Sequence, residues 1–150
     1  MARQIHRTRR GEIQLRLPEE EQTLLRGVAA STRALLADGD DPALRRLFPP
    51  AYDDPELEQE YREMTGGQLA AGRERALQHL EATVDHDVLT AEDADLWLRA
   101  LNDVRLVLGT RLDVTEDLDW DVRPQDPRAP ELALYAYVSS IQEQLVAASV

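Results

Sequence analysis

The chain has 150 residues, a formal net charge of −12 and no cysteine. It has 17 arginines and no lysine. This length favours one domain with a sizeable core. The missing cysteines exclude disulfides, thiolate metal sites and cysteine nucleophiles within these residues, and the missing lysines exclude Schiff-base and P-loop chemistry. No apolar run approaches the roughly 18 residues of a membrane helix, and no apolar signal-peptide core follows the N-terminus, so we expect a soluble, cytoplasmic protein.

The charge is distributed unevenly along the chain. The first 17 residues have a net charge of +4, which comes from five arginines and one glutamate: Arg3, Arg7, Arg9, Arg10, Arg16 and Glu12. The other 133 residues sum to −16. Because such an acidic body repels phosphates, we do not expect direct nucleic-acid binding. The basic segment either folds back on the acidic surface of its own chain or docks an acidic partner.

The N-terminal segment predicts a β-hairpin followed by a helix. Ile13, Leu15 and Leu17 alternate with polar residues, the period of a half-buried strand. The sequence Arg9-Arg10-Gly11 suits a turn, so we predict that residues near 3–8 pair with 12–17. Pro18 then starts a helix that ends near residues 38–40, with one apolar face: Leu24, Leu25, Val28, Thr32, Leu35 and Leu36.

The middle of the chain contains several helix signals. Asp41-Pro42 and Asp54-Pro55 each predict a helix start, and Gly66-Gly67 is expected to interrupt before a further helix that stops near residues 85–87. Thr90 and Asp93 are typical of a capping box. The helix that follows has a predicted core stripe: Ala94, Trp97, Leu101, Val104, Leu108 and Leu112.

Residues 115–130 are acidic and contain three prolines, which predicts a loop. A last helix is expected from Pro130 to about Ala147, with a stripe formed by Leu134, Val138, Ile141 and Leu145. Residues 1–150 therefore predict one mainly α domain, five or six helices packed as a bundle with a small N-terminal β-hairpin at 3–17 and an acidic loop at 115–130.

Polar residues stand inside the apolar stretch LWLRALNDVRLVLGTRL at 96–112. Arg105 and Arg111 flank the predicted stripe, where a guanidinium needs a partner. We expect internal salt bridges, for which four carboxylates are available: Asp95, Asp103, Glu131 and Glu143. The alternative is a small anionic ligand bound by both arginines. Asn102, on the helix back, is expected to bind a neighbouring segment or water. Leu106 lies opposite the stripe, so either both sides of this helix are covered or its back meets a partner chain.

No catalytic or metal motif is present in the sequence. His79 and His86 are seven residues apart, a spacing that helical zinc or iron sites do not use. The acidic run at 117–121 lacks the glycine and glutamate of an EF-hand loop. No phosphate loop, nucleophile elbow or distinctive carboxylate pair is found, so we expect no enzyme activity and no cofactor.

Three stretches carry a family resemblance: LRRLFPPAYDDPELEQEYREMT at 44–65, WLRALNDVRLVLGTRLDVTED at 97–117 and LYAYVSSIQEQLV at 134–146. Together they resemble an actinobacterial domain-of-unknown-function family that includes the actinomycete oxidative-stress-responsive regulators. The resemblance implies a cytoplasmic regulator that joins a stress sigma factor and senses redox state through a cysteine pair. It also implies a link to the Clp protease, whose adaptor gene often neighbours those of the family. Since this sequence has no cysteine, thiol sensing is not implied for it.

These observations predict a non-enzymatic regulatory or protein-interaction module, with stress-linked transcriptional regulation through a protein partner as the implied role. The sequence leaves both a monomer and a homodimer open. The candidate partner or ligand contacts are Arg7, Arg9, Arg10, Asn102, Arg105, Leu106 and Arg111.

Overall fold

The computed structural model describes residues 4–38, 53–112 and 125–149, with the backbone alone at positions 38, 62 and 65–70. The described elements are, in chain order, β1 (Ile5–Arg7), β2 (Ile13–Leu15), α1 (Glu19–Asp38), α2 (Pro55–Thr83), β3 (Val88–Leu89), α3 (Ala91–Leu112) and α4 (Ala129–Ser149). The predicted fold class, a mainly helical chain with a small N-terminal hairpin, is confirmed. The helix predicted at Asp41-Pro42 and most of the predicted loop 115–130 lie outside the described residues.

The predicted hairpin forms two strands of a three-stranded sheet, in which β2 is the central strand. β1 and β2 pair antiparallel, with Ile5 opposite Leu15, and β3 pairs antiparallel with the other side of β2, where Ile13 lies opposite Leu89. These four residues are buried, so the sheet turns one face toward the helices. The sequence did not predict β3, because two residues are too few to show an alternating pattern.

Helix α1 begins directly after Pro18, as predicted, with three glutamates in its first turn. Its predicted apolar face is wrong at Leu24, which is 42% exposed, while Leu25 and Ala29 are fully buried. Adjacent residues on a helix point about 100° apart, so Leu24 and Leu25 cannot both face the core.

Helix α2 begins at the predicted Asp54-Pro55 signal. Asp54 is the N-cap, and its side chain accepts a hydrogen bond of 2.9 Å from the amide of Glu56. The predicted interruption at Gly66-Gly67 is wrong, because the helix is continuous from Pro55 to Thr83. Each glycine costs about 1 kcal/mol relative to alanine but, unlike proline, does not block helical hydrogen bonds. The helix therefore tolerates both glycines between its capped start and its packed C-terminal half.

Helix α3 is the central helix of the described bundle and packs against α1, α2 and α4. The predicted capping box is confirmed: the Asp93 amide donates to Thr90 Oγ1 at 3.1 Å, and the Thr90 amide donates to Asp93 Oδ2 at 2.9 Å. Every member of the predicted core stripe is buried. Trp97 is fully buried, and its indole Nε1 donates to Thr83 Oγ1 on α2 at 2.7 Å.

Helix α4 holds the root of the hairpin in place. The Gln4 amide donates to Gln144 Oε1 at 3.1 Å, and Gln4 Nε2 donates to both carboxylate oxygens of Glu21 at 2.9 and 2.7 Å. Tyr137 of α4 has a buried hydroxyl that forms no hydrogen bond of good geometry to any described residue. Burial and the neighbouring charge of Glu21 raise the pKa of this tyrosine.

Of the helices in the described part of the chain, none combines the length and the apolar character needed to span a bilayer.

Candidate protein-interaction surface

The two strands of the hairpin are joined by a three-residue turn that presents two arginines. The Gly11 amide donates to Thr8 O at 3.0 Å, and the Thr8 amide donates to Glu12 O at 2.7 Å. Gly11 has φ = +82°, a left-handed conformation that closes such turns and favours glycine. The backbone therefore fixes Arg9 and Arg10 at the apex, and we call residues 8–11 the arginine tip.

The arginine tip is basic and open to solvent. Arg7, Arg9 and Arg10 are exposed, and the nearest acid in sequence, Glu12, is exposed as well. The guanidinium of Arg7 lies beside the turn, with Nη2 3.8 Å from where a Cβ on Gly11 would stand. Within residues 4–38, 53–112 and 125–149, neither Arg9 nor Arg10 forms an ion pair with an acid, so these two predicted contacts stand clear of the described acidic surface.

A cavity of about 220 Å³ lies beside the arginine tip, between the hairpin, the first turns of α3 and the end of α4. Its apolar lining includes Ile13, Ala94, Leu98 and Ala148, and Arg7 and Asp95 are its charged residues. Asp95 is itself paired with Arg99 on the next turn of α3, at 3.2 Å. This tip cavity is large enough for one apolar side chain, with positive charge close by.

The contacts of Arg105 differ from the predicted ones. Its Nε donates to Ser139 Oγ at 3.0 Å, a second nitrogen donates to Gln142 Oε1, and its guanidinium lies 5.6 Å from the ring centre of Tyr135. These partners are all on α4 and all neutral, so the predicted salt bridge of Arg105 is wrong for the described residues. Because it donates two hydrogen bonds to α4 side chains, Arg105 is a helix-to-helix contact in this structure.

The other candidates on α3 do not converge with Arg105. Asn102 is exposed, and Arg111 is exposed about 120° further round the helix from Arg105. Leu106 is half-buried and, like Leu35 and Leu36 of α1, packs against the buried Val107. This packing favours the first of the two predicted alternatives, an α3 covered on both sides, and the partner contact of Leu106 stays a prediction. The salt bridge predicted for Arg111 stays a prediction.

An ion pair that the sequence did not indicate joins α2 to α3. Arg73 Nη1 bonds Asp103 Oδ1, and the Asp103 side chain is 4% exposed against 29% for that of Arg73. Burial raises the pKa of Asp103, and the charge and hydrogen bond of Arg73 oppose that rise. Asp103 was predicted as an acceptor for arginines of its own helix. It pairs across the helix seam instead, a contact that a single-helix pattern cannot show.

His79 is the second polar contact of that seam. Its Nε2 lies 2.6 Å from Asp93 Oδ1, so the acid of the α3 capping box is also held by α2. Burial tends to raise the pKa of Asp93, but hydrogen bonds from Thr90 and His79 outweigh burial and hold it below its usual value. His86 is exposed and does not join this contact.

Comparison with known proteins gives a family but no solved relative. The family model for a domain of unknown function, DUF2017, matches residues 2–149. Proteins of Mycobacterium tuberculosis and Mycobacterium bovis named oxidative stress regulator AosR are 29% identical over 124 residues, which cover 71% of this chain and 57% of theirs. A Mycobacterium leprae protein named as a putative oxidative stress regulator AosR is 27% identical, and the match covers 87% of this chain and 67% of the length of that protein. The chain thus spans little more than half the length of the first two relatives. No solved structure matches it.

Proposed function

Because the chain belongs to the DUF2017 family, whose named relatives are oxidative stress regulators, we propose that it is a non-enzymatic regulatory module that acts by binding a protein partner. The contact surface in this proposal is the arginine tip with its cavity, and the partner segment is acidic. Thiol redox sensing is not part of the proposal, since these 150 residues contain no cysteine.

The observation that carries the proposal is the position of Arg9 and Arg10. A chain with a net charge of −12 could neutralise its few cations internally, as it does for Arg33 with Glu81 and for Arg73 with Asp103. Arg9 and Arg10 are instead raised on a turn that the backbone fixes, so ordering them against a partner costs little backbone entropy. Complementary charge then speeds association and selects for acidic partners.

The test is affinity capture from the native host with three forms of the chain. The wild type is compared with the double variant Arg9→Glu and Arg10→Glu, and with a control carrying Arg26→Glu and Arg75→Glu, two exposed arginines on α1 and α2. Both variants lower the net charge equally. We expect the tip variant to lose the partners that the wild type and the control retain. Equal recovery by all three forms would exclude the arginine tip as the contact.

A further inference from the structure

We propose that the tip cavity receives one large apolar side chain of the partner, carried by a short acidic segment whose carboxylates contact the arginine tip. The inference rests on the proposed function, because it concerns the same surface. It adds the chemical class of the segment that binds there, which is an apolar residue next to carboxylates.

The tip cavity has the size and the lining for one apolar side chain. Its volume is about 220 Å³, and its apolar walls come from β2, α3 and α4, through Ile13, Ala94, Leu98 and Ala148. Ile13, Ala94 and Ala148 are buried members of the main core. The walls are therefore fixed by the packing of the chain. A leucine or phenylalanine side chain that enters leaves water at little cost in protein rearrangement.

The hairpin side of the cavity is basic. Arg7 and Gly11 belong to the lining, so Arg9 and Arg10, which directly precede Gly11, stand at the edge of the same cavity. The three arginines are exposed, and together with Glu12 they leave this side with a net charge of +2. Guanidinium groups bind carboxylates through paired hydrogen bonds. The carboxylates next to the apolar residue therefore face the hairpin.

The α3 side of the cavity carries the one acid of the described lining, Asp95. It is paired with Arg99 at 3.2 Å, and both side chains are mostly exposed, so this pair neither attracts nor repels a charged segment strongly. A second cavity, of about 340 Å³, lies between the start of α1 and the residues before β3. Its lining includes two acids, Asp85 and Asp87, and one arginine, Arg16. An acidic segment is therefore expected to prefer the tip cavity.

The arginine tip and the cavity contribute differently to binding. Exposed ion pairs add little to affinity, since water and salt screen them, but they speed association. A side chain that leaves water completely in a packed cavity carries most of the affinity and slows dissociation. The apolar residue is therefore expected to determine which acidic segments stay bound.

The test measures the binding of labelled synthetic peptides to the purified full chain by fluorescence anisotropy, in roughly 0.15 M salt to screen the net negative charge of the chain. The first peptide has a central phenylalanine between glutamates. The second has alanine in place of the phenylalanine, and the third has glutamine in place of each glutamate. We expect the alanine peptide to bind at least about tenfold more weakly than the first, and the glutamine peptide at least about fivefold more weakly.

Two matched variants separate the cavity from the rest of the surface. Ala148→Leu adds apolar bulk to the wall of the cavity, whereas Ala147→Leu adds the same atoms at the neighbouring exposed position of α4. We expect Ala148→Leu to weaken binding of the phenylalanine peptide at least about fivefold and to leave that of the alanine peptide unchanged, and Ala147→Leu to change neither. Arg9→Glu with Arg10→Glu is expected to weaken both peptides, and the charge-matched control of the capture experiment neither.

The peptide experiment and the capture experiment fail in different ways. Equal binding of the phenylalanine and alanine peptides to the wild type, or no binding of the phenylalanine peptide up to about 1 mM, would overturn the inference without recourse to any variant. An Ala148→Leu chain that keeps its circular dichroism and binds the phenylalanine peptide as the wild type does would also overturn it. Partners captured through Arg9 and Arg10 would then still support the proposed function, whereas capture that is indifferent to both arginines excludes the proposed function itself.

Discussion

The two sides of α3 are held by different kinds of polar contact. On the side that faces α2, a buried aspartate pairs with an arginine, and a histidine contacts a capping carboxylate. On the side that faces α4, an arginine contacts only neutral side chains. The α2 seam is formed by Arg73–Asp103, His79–Asp93 and Trp97–Thr83. The α4 seam is formed by Arg105 with Ser139 and Gln142. A buried charge whose partner is lost is far more costly than a half-buried donor that can turn to water, so the two seams should respond unequally to mutation.

The largest loss is expected from Trp97→Ala. This change empties a fully buried site and leaves the Thr83 hydroxyl without its indole donor. We expect the free energy of unfolding to fall by roughly 3 to 5 kcal/mol, measured by chemical denaturation. A loss below about 1 kcal/mol would contradict the placement of Trp97 at the centre of the core.

Arg73→Met is expected to come second, with a loss of roughly 2 to 3 kcal/mol, because it leaves Asp103 buried without its cation. We expect a smaller loss in the free energy of unfolding than for a fully buried ion pair, since 29% of the Arg73 side chain is exposed. Adding Asp103→Leu should recover most of the loss, as an apolar pair can replace a buried ion pair. If the double variant were no more stable than Arg73→Met, the unpaired carboxylate would not be the cause.

The same variant should depend on pH in a defined direction. The pKa of Asp103 is already raised by burial, and it rises further when Arg73 is removed. A folded pKa above the unfolded one means that this group stabilises most at low pH, and that its contribution is lost as pH rises through the folded pKa. The deficit of Arg73→Met relative to wild type should therefore be smaller at pH 5 than at pH 8. The double variant with Asp103→Leu should show no such trend.

Asp93→Ala is expected to cost about 1 kcal/mol, since it removes one half of the capping box and the His79 contact together. The pKa of Asp93 is lowered in the folded chain, so its stabilisation is present above the unfolded pKa and is lost as pH falls through the folded one. The difference between wild type and variant should thus shrink toward pH 3 in denaturation experiments. A constant difference from pH 7 to pH 3 would contradict a stabilising carboxylate.

Arg105→Met should have the smallest effect, under about 1 kcal/mol, because its partners are neutral and partly accessible and methionine keeps the apolar stem. The difference between the losses of unfolding free energy for Arg73→Met and Arg105→Met then gives the contribution of the buried carboxylate at the α2 seam. A loss at Arg105 equal to that at Arg73 would remove the distinction between the two seams.

Local signals in the sequence located most of the elements. Asp54-Pro55, Thr90 with Asp93, and Arg9-Arg10-Gly11 each act through backbone chemistry within a few residues, and the structure contains the cap, the capping box and the turn that they predict. Whether the basic segment folds back on the acidic surface of its own chain was left open by the sequence, and Arg9 and Arg10 are exposed in the structure.

Two of the failures involve partners distant in sequence. Asp103 was predicted to serve arginines of its own helix, but Arg73 lies 30 residues away on α2, where no helical period could reveal it. The tip cavity combines residues near positions 11, 94 and 148, which only the packed chain brings together. Gly66-Gly67 was misread because propensity gives a weak preference that neighbouring packing overrides.

The β-sheet has a consequence for how the chain folds. β1 and β2 are close in sequence, but a two-stranded hairpin of this size is marginal alone in water, and its third strand pairs Ile13 with Leu89 across 76 residues. Closing so long a loop costs conformational entropy, which the packing of the intervening helices has to offset. We therefore expect the arginine-bearing turn to be held in place by the packed helices and β3, and to be less ordered in a chain that ends before β3.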